Sequence, residues 1–175
     1  MEQAAAQNYA PAISSIGLLY ERGYGVTQDF TEAKHWYKKA ANHKKNPVIA
    51  MFALSKLYSE GNGVEKDDKQ AMEWLEKACA LNTLDSGTAC YEIGKNYFEG
   101  KLNLLKDNQK AFEYSMKAAI NNNINGALLL KRLKEDGFVF PDTEKEQALI
   151  FINKIDDNKY WVYRITMQAL ENLQN

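Results

Sequence analysis

Residues 17–41 read GLLYERGYGVTQDFTEAKHWYKKAA, and residues 55–79 read SKLYSEGNGVEKDDKQAMEWLEKAC. Their landmarks recur with a single offset of 38 positions: Tyr20 and Tyr58, Gly23 and Gly61, Gly25 and Gly63, Val26 and Val64, Asp29 and Asp67, Ala33 and Ala71, Trp36 and Trp74, Lys39 and Lys77, Ala40 and Ala78. In a third copy, Tyr97 and Gly100 lie 39 positions beyond Tyr58 and Gly61. Asp107, Ala111, Tyr114, Lys117 and Ala118 lie 40 beyond their partners, so the loop Lys101–Lys106 holds one extra residue. A fourth copy is eroded: Gly137, Ala148, Phe151 and Lys154 lie 37 beyond Gly100, Ala111, Tyr114 and Lys117, and Lys134 replaces the tyrosine. Fixed offsets over so many residue types mark a tandem array. Erosion at one end suits a terminal unit that faces water instead of a neighbour.

Each unit reads as two helices, A and B. The A helices are expected over roughly 10–22, 48–60, 87–99 and 124–136, where Ala12, Ile16, Tyr20 and their equivalents fall at helical spacing. The B helices, over roughly 30–43, 68–81, 108–121 and 143–156, carry Ala33, Trp36, Ala40 and their equivalents on one face. Pro11 and Pro47 fall in or just before first turns, where a missing N–H costs little. Asp29, Asp67 and Asp107 suit helix N-termini, and the glycines between A and B supply left-handed turns. No strand pattern competes. The predicted fold is all-α: a right-handed α-solenoid of about four helix-turn-helix repeats, 10–46, 47–86, 87–123 and 124–158, in one domain spanning 1–175. Val162, Ile165, Ala169 and Leu173 form a stripe that predicts a capping helix over 159–173.

Composition narrows the function classes. With 22 Lys and Arg against 23 Asp and Glu, the chain of 175 residues lacks the basic footprint of a nucleic-acid binder. No apolar run approaches the roughly 20 residues of a membrane span. Met1–Gln7 has neither a basic start nor an apolar stretch, so no signal peptide is visible.

The pattern A-x4-G-x2-Y-x2-G-x-G-V-x2-D-x3-A-x2-W-x2-K-A-A, close from Ala12 to Ala41 and from Ala50 to Cys79, and good from Ala89 to Ala119, resembles the Sel-one-like repeat (SLR) family, relatives of the tetratricopeptide repeats. The third unit departs from it where Lys101-Leu102-Asn103-Leu104 replaces Gly-x-Gly-Val. Lys77-Ala78-Cys79-Ala80-Leu81-Asn82, followed by Cys90 four residues before Gly94, is similar to the Helicobacter cysteine-rich subgroup, though the spacing is longer than usual there. That resemblance implies a disulfide between Cys79 and Cys90, which would stabilise the fold by about 2–3 kcal/mol. The alternative is a pair of buried thiols acting as small core residues. Location follows the redox state: periplasmic or secreted if Cys79 and Cys90 are oxidised, cytoplasmic otherwise.

The chemistry expected of the chain is sparse. His35 and His43 are the only histidines, eight apart, with no Cys or carboxylate cluster joining them, so no metal ligands are assigned. The Gly-x-Gly pairs recur with the repeat and have no flanking strand or Gly-Lys-Ser/Thr, so they read as turns rather than phosphate loops. Trp36, Trp74 and Tyr114 recur at the repeat period and read as core. No Gly-x-Ser-x-Gly or Ser-x-x-Lys is present. No catalytic residue and no cofactor is assigned.

The resemblance to tetratricopeptide-like solenoids implies a concave groove lined by the A helices. Counting from Gly17, Ser55, Gly94 and Lys131 as the shared packing position, the groove-facing residues are Ser14, Leu18, Phe52, Lys56, Tyr91, Lys95, Phe98, Leu128 and Arg132. A basic file of Lys56, Lys95 and Arg132 beside an aromatic and apolar file suits an acidic protein or extended peptide segment. The function expected is a non-enzymatic, monomeric protein–protein interaction module. Within the family resemblance it would be an adaptor or an inhibitor, such as an immunity protein that binds a secreted toxin. The alternative, by analogy with cysteine-rich relatives, is a secreted or periplasmic protein with weak β-lactam binding or hydrolysis.

Overall fold

The computed structural model describes residues 10–155; the capping helix expected over 159–173 lies outside them. Among the described residues the chain is an all-α solenoid with no strand. Helices α1 (Ala10–Arg22), α2 (Phe30–Ala41), α3 (Val48–Glu60), α4 (Asp68–Ala80), α5 (Gly87–Glu99), α6 (Asn108–Ile120) and α7 (Ile124–Glu135) follow in order. An eighth, α8, covers residues 145–155. None is long and apolar enough to cross a membrane.

The first three turns between an A and a B helix repeat one set of hydrogen bonds. The Tyr20, Tyr58 and Tyr97 carbonyls accept from the backbone N–H groups of Asp29, Asp67 and Asp107, at 2.9, 2.9 and 3.0 Å. Those aspartates then cap the next helix: Asp29 Oδ1 accepts from the Thr31 and Glu32 amides, Asp67 Oδ1 from Gln70, and Asp107 Oδ1 from Lys110. Each carboxylate satisfies donors that have no partner within the helix and sits at the positive end of its dipole. Asp67→Ala is therefore expected to cost about 1 kcal/mol in urea unfolding, and Asp67→Asn much less, because the amide oxygen still accepts.

The third turn reaches the same end without the glycine pair. Leu102 and Asn103 adopt positive φ, 53° and 57°. Asparagine tolerates that region, whereas leucine rarely enters it. Asn46, Asn82 and Asn122 take the same conformation in the connections between successive helix pairs.

Packing follows the alanines. Ala33, Ala40, Ala71, Ala78, Ala111 and Ala118 are fully buried, and their small side chains let neighbouring helices approach. Around them lie three apolar clusters: Ile13, Tyr37, Leu54 and Leu57; then Met72, Leu75 and Ile93; then Phe112, Leu130, Leu133, Phe140 and Ile152. The third cluster ties α8 to α6 and α7, and the loop aromatics Phe138 and Phe140 close it against the Phe112 ring at 5.8 and 5.0 Å.

The landmark aromatics are only half-buried, at the margin of this core. Each lies under the lysine three residues later: Lys39 over Trp36, Lys77 over Trp74, Lys117 over Tyr114 and Lys154 over Phe151, at 5.0, 4.4, 4.8 and 5.8 Å. The aromatic–lysine spacing of the repeat is thus a cation–π pair on one helix face.

Cys79 on α4 and Cys90 on α5 are joined by a disulfide, with their Cα atoms 4.9 Å apart and both side chains buried. Beside it the α4–α5 connection carries a short 3-10 turn, Leu84–Ser86, which packs on α3. Here the A helices separate. α1 packs on α3 and α5 on α7, but α3 and α5 barely touch.

Candidate functional site

The space left between α3 and α5 is an open cleft of about 470 Å³. Phe52, Lys56 and Glu60 of α3 form one wall, and Glu92, Lys95 and Asn96 of α5 form the other. Ala71 and Leu75 of α4 make the floor, and Leu102 from the strained third turn closes one end. A smaller cleft of about 130 Å³ follows between α5 and α7, lined by Tyr91, Lys95, Phe98, Leu128 and Arg132. Lys95 borders both clefts.

Of the expected groove residues, Phe52, Lys56 and Lys95 line the larger cleft, and Tyr91, Lys95, Phe98, Leu128 and Arg132 line the smaller. Ser14 departs from the expectation. It is 3% exposed and its hydroxyl donates to the Ala10 carbonyl at 2.9 Å, so it belongs to the packing of α1 and offers nothing to a partner. Leu18 is 43% exposed but borders neither cleft. The packing position that located these residues also changes in the last pair. Gly17 lies against Tyr37 and Gly94 against Ala111 and Ser115, whereas α7 makes its close approach through Gly126, against Ala118 and Ala119.

Cations and rings are interlocked rather than set in two files. The Lys95 ammonium lies 5.8 Å from the Tyr91 ring centroid and 3.5 Å from Glu92 Oε2. Arg132 of α7 stacks over Phe98 of α5 at 4.8 Å. Guanidinium and ammonium groups held over rings keep their outer faces open to an acceptor while the ring fixes their position. The exposed Lys101 ammonium pairs with the Glu99 carboxylate, which holds it above the usual lysine range. Lys56 has no ion pair among the described contacts.

The repeat rule singled out only Phe52, Lys56 and Lys95 of the larger cleft; among the lining residues it missed are Asn96, Lys101 and Leu102. The last two sit in the turn whose sequence departs from the pattern, and that departure was the available signal. Within the first pair, Tyr37 donates to Glu21 Oε2 at 2.7 Å; burial, then this bond, push its hydroxyl far above the ordinary tyrosine range. Through this bond Tyr37 ties α2 to α1. Among the described residues no group of three or more His, Cys, Asp or Glu is placed to hold a metal.

Comparison with known proteins accounts for the repeating frame. The Sel1 repeat model matches residues 10–44, 48–83 and 87–123, the three units with complete tyrosine, aspartate and aromatic landmarks. A Sel1 repeat protein from Oxalobacter formigenes is 30% identical, covers 90% of this chain and has a TM-score of 0.71. The protein c5321, a protective antigen present in uropathogenic Escherichia coli strains displaying an SLR fold, is 34% identical over 78% of the chain with a TM-score of 0.65. The chain spans 61% of the length of the first and 28% of the second. A search of the curated proteins finds no match. With its tyrosine-to-aspartate turns, capped B helices and stacked lysines falling in register with that model, the chain belongs to the Sel1 repeat family.

Proposed function

We propose that this protein is a non-enzymatic interaction module that holds an extended, partly acidic segment of a partner protein along the track from Phe52 to Arg132. Sel1 repeat proteins typically mediate protein–protein interaction. The observation that supports the finer reading is that Lys95 borders both clefts, with Lys56 lining one and Arg132 the other. Charged rims steer encounter, while half-buried aromatics such as Phe52 and Phe98 supply contact area. A single track on a short array suits an adaptor or an inhibitor, an immunity protein among them, that acts as a monomer. The domain is read as one array in which α7 and α8 form a fourth unit, as their shared core and the Lys154–Phe151 pair support. The Cys79–Cys90 bond supports work in an oxidising compartment, periplasmic or extracellular.

The test is the double variant Lys56→Glu/Lys95→Glu. It is expected to fold with unchanged helix content and to lose about tenfold or more in affinity for the partner captured from the native organism. The residual affinity should respond less to salt than that of the parent. Equal capture by parent and variant would remove the groove from consideration.

A further inference from the structure

Asn96 breaks the rule of its own array. The offsets of 39 and 37 place Leu57 and Leu133 at the same position of the neighbouring A helices, and 38 further back stands Leu19. Leu57 and Leu133 are core residues, 2% and 0% exposed. Asn96 is as deeply set, 7% exposed, yet carries an amide where the array carries a hydrocarbon. Its backbone carbonyl keeps the role of that position, accepting from Lys101 N–H at 3.0 Å. Its side chain has no comparable partner. Nδ2 reaches only the Met72 sulfur, at 4.0 Å, a weak acceptor, and no hydrogen bond to Oδ1 is described. Oδ1 is not among the side-chain atoms sealed from solvent without a partner, so it faces the open cleft and stays free to accept. Asn96 lines the larger cleft, where a bound segment would replace solvent at this amide.

We propose, resting on the groove reading above, that Asn96 reads the main chain of the bound segment. A carboxamide offers one donor and one acceptor side by side, the same pair that a peptide group presents in reverse. Nδ2 donates to a carbonyl of the segment, and Oδ1 accepts from an N–H of its extended backbone. Main-chain pairing of this kind leaves the neighbouring side chains to set specificity. One apolar side chain lies over Leu75 and Leu102, which form the apolar part of the cleft beside Asn96. An acidic side chain meets Lys56, the cleft lysine without an ion pair. The partner is thus an extended peptide with an acidic residue close to an apolar one.

The experiment takes a dodecamer peptide selected from a random library on the full chain and compares its binding to the parent, Asn96→Leu and Lys56→Glu/Lys95→Glu. Asn96→Leu restores the residue that the array uses elsewhere. It is expected to raise the unfolding midpoint while weakening the peptide roughly tenfold, the loss of one or two buried hydrogen bonds. Replacing the contacted peptide bond by an ester should weaken binding to the parent and leave binding to Asn96→Leu unchanged. If Asn96→Leu binds as tightly as the parent while the lysine variant fails, main-chain reading falls and the groove reading stands. If neither variant loses affinity, or no peptide is selected, both fall. An ester that weakens both proteins equally also overturns the role of Asn96.

Discussion

Gly63→Ala is expected to destabilise the chain by about 3 kcal/mol in urea unfolding, and Gly25→Ala by only about 1 kcal/mol. The two glycines occupy one position of the repeat and share one backbone conformation, with φ of 65° and 73°. A left-handed alanine carries the same strain at both, of order 1 kcal/mol. Their surroundings differ. A Cβ on Gly63 would lie 2.6 Å from the carbonyl carbon and Cβ of Phe30 and 2.8 Å from its carbonyl oxygen, while a Cβ on Gly25 meets nothing within 4 Å. Phe30 begins α2, so the second turn is seated directly on the start of the first B helix. Backbone atoms there cannot swing aside as a flexible side chain would, and the helices must separate at a cost of roughly 1–3 kcal/mol beyond the strain. Equal losses at the two positions would show that the junction gives way freely.

Cys79→Ala/Cys90→Ala is expected to cost about 3 kcal/mol and to lower the unfolding midpoint by roughly 10 °C. The bond closes a loop with a sequence separation of 11, and most of its effect is the restriction of the unfolded chain. In a repeat array each unit leans only on its neighbours, so the loss should concentrate where α4 meets α5. Amide exchange of this double variant against the parent resolves this: faster exchange confined to α4, α5 and the Leu84–Ser86 turn is the expected pattern. Two titratable thiols in unreduced parent protein would contradict the bond itself.

The helices were legible because two independent signals agreed: apolar spacing along each helix and the fixed offsets between copies. Expected and observed ends differ by two residues at most, from Ala10–Arg22 to the helix over 145–155. The aspartate caps were legible for the same reason, since a cap is a local device with a local sequence. Depth in the groove was not. Ser14 occupies the position of Phe52, Tyr91 and Leu128, but a side chain of two heavy atoms cannot reach past its neighbours to the surface, and it is covered. The pairing of Lys95 with Tyr91 could be read from a separation of four residues on one helix, whereas Arg132 over Phe98 joins two helices and depends on how α5 and α7 approach. Leu102 was illegible on other grounds. A leucine at φ 53° is uncommon, and only the surrounding turn holds it there.

The junctions between helix pairs are closed by three different devices. Gly63 keys into Phe30, Cys79 is bonded to Cys90, and Gly126 lies against Ala118. Copies this similar in sequence invite unequal recombination, by which a gene gains or loses one unit at a time. Losing the second unit would bring Leu102 and Asn103, which stand where Gly63 does, against Phe30 and leave Cys90 facing Ala41. Losing the third would set Cys79 opposite Ala127, an unpaired thiol. Each shortened gene would encode an array with a faulty seam. The number of units is therefore held by the joints between them, and a viable change of length requires the flanking joint to be rewritten in the same event.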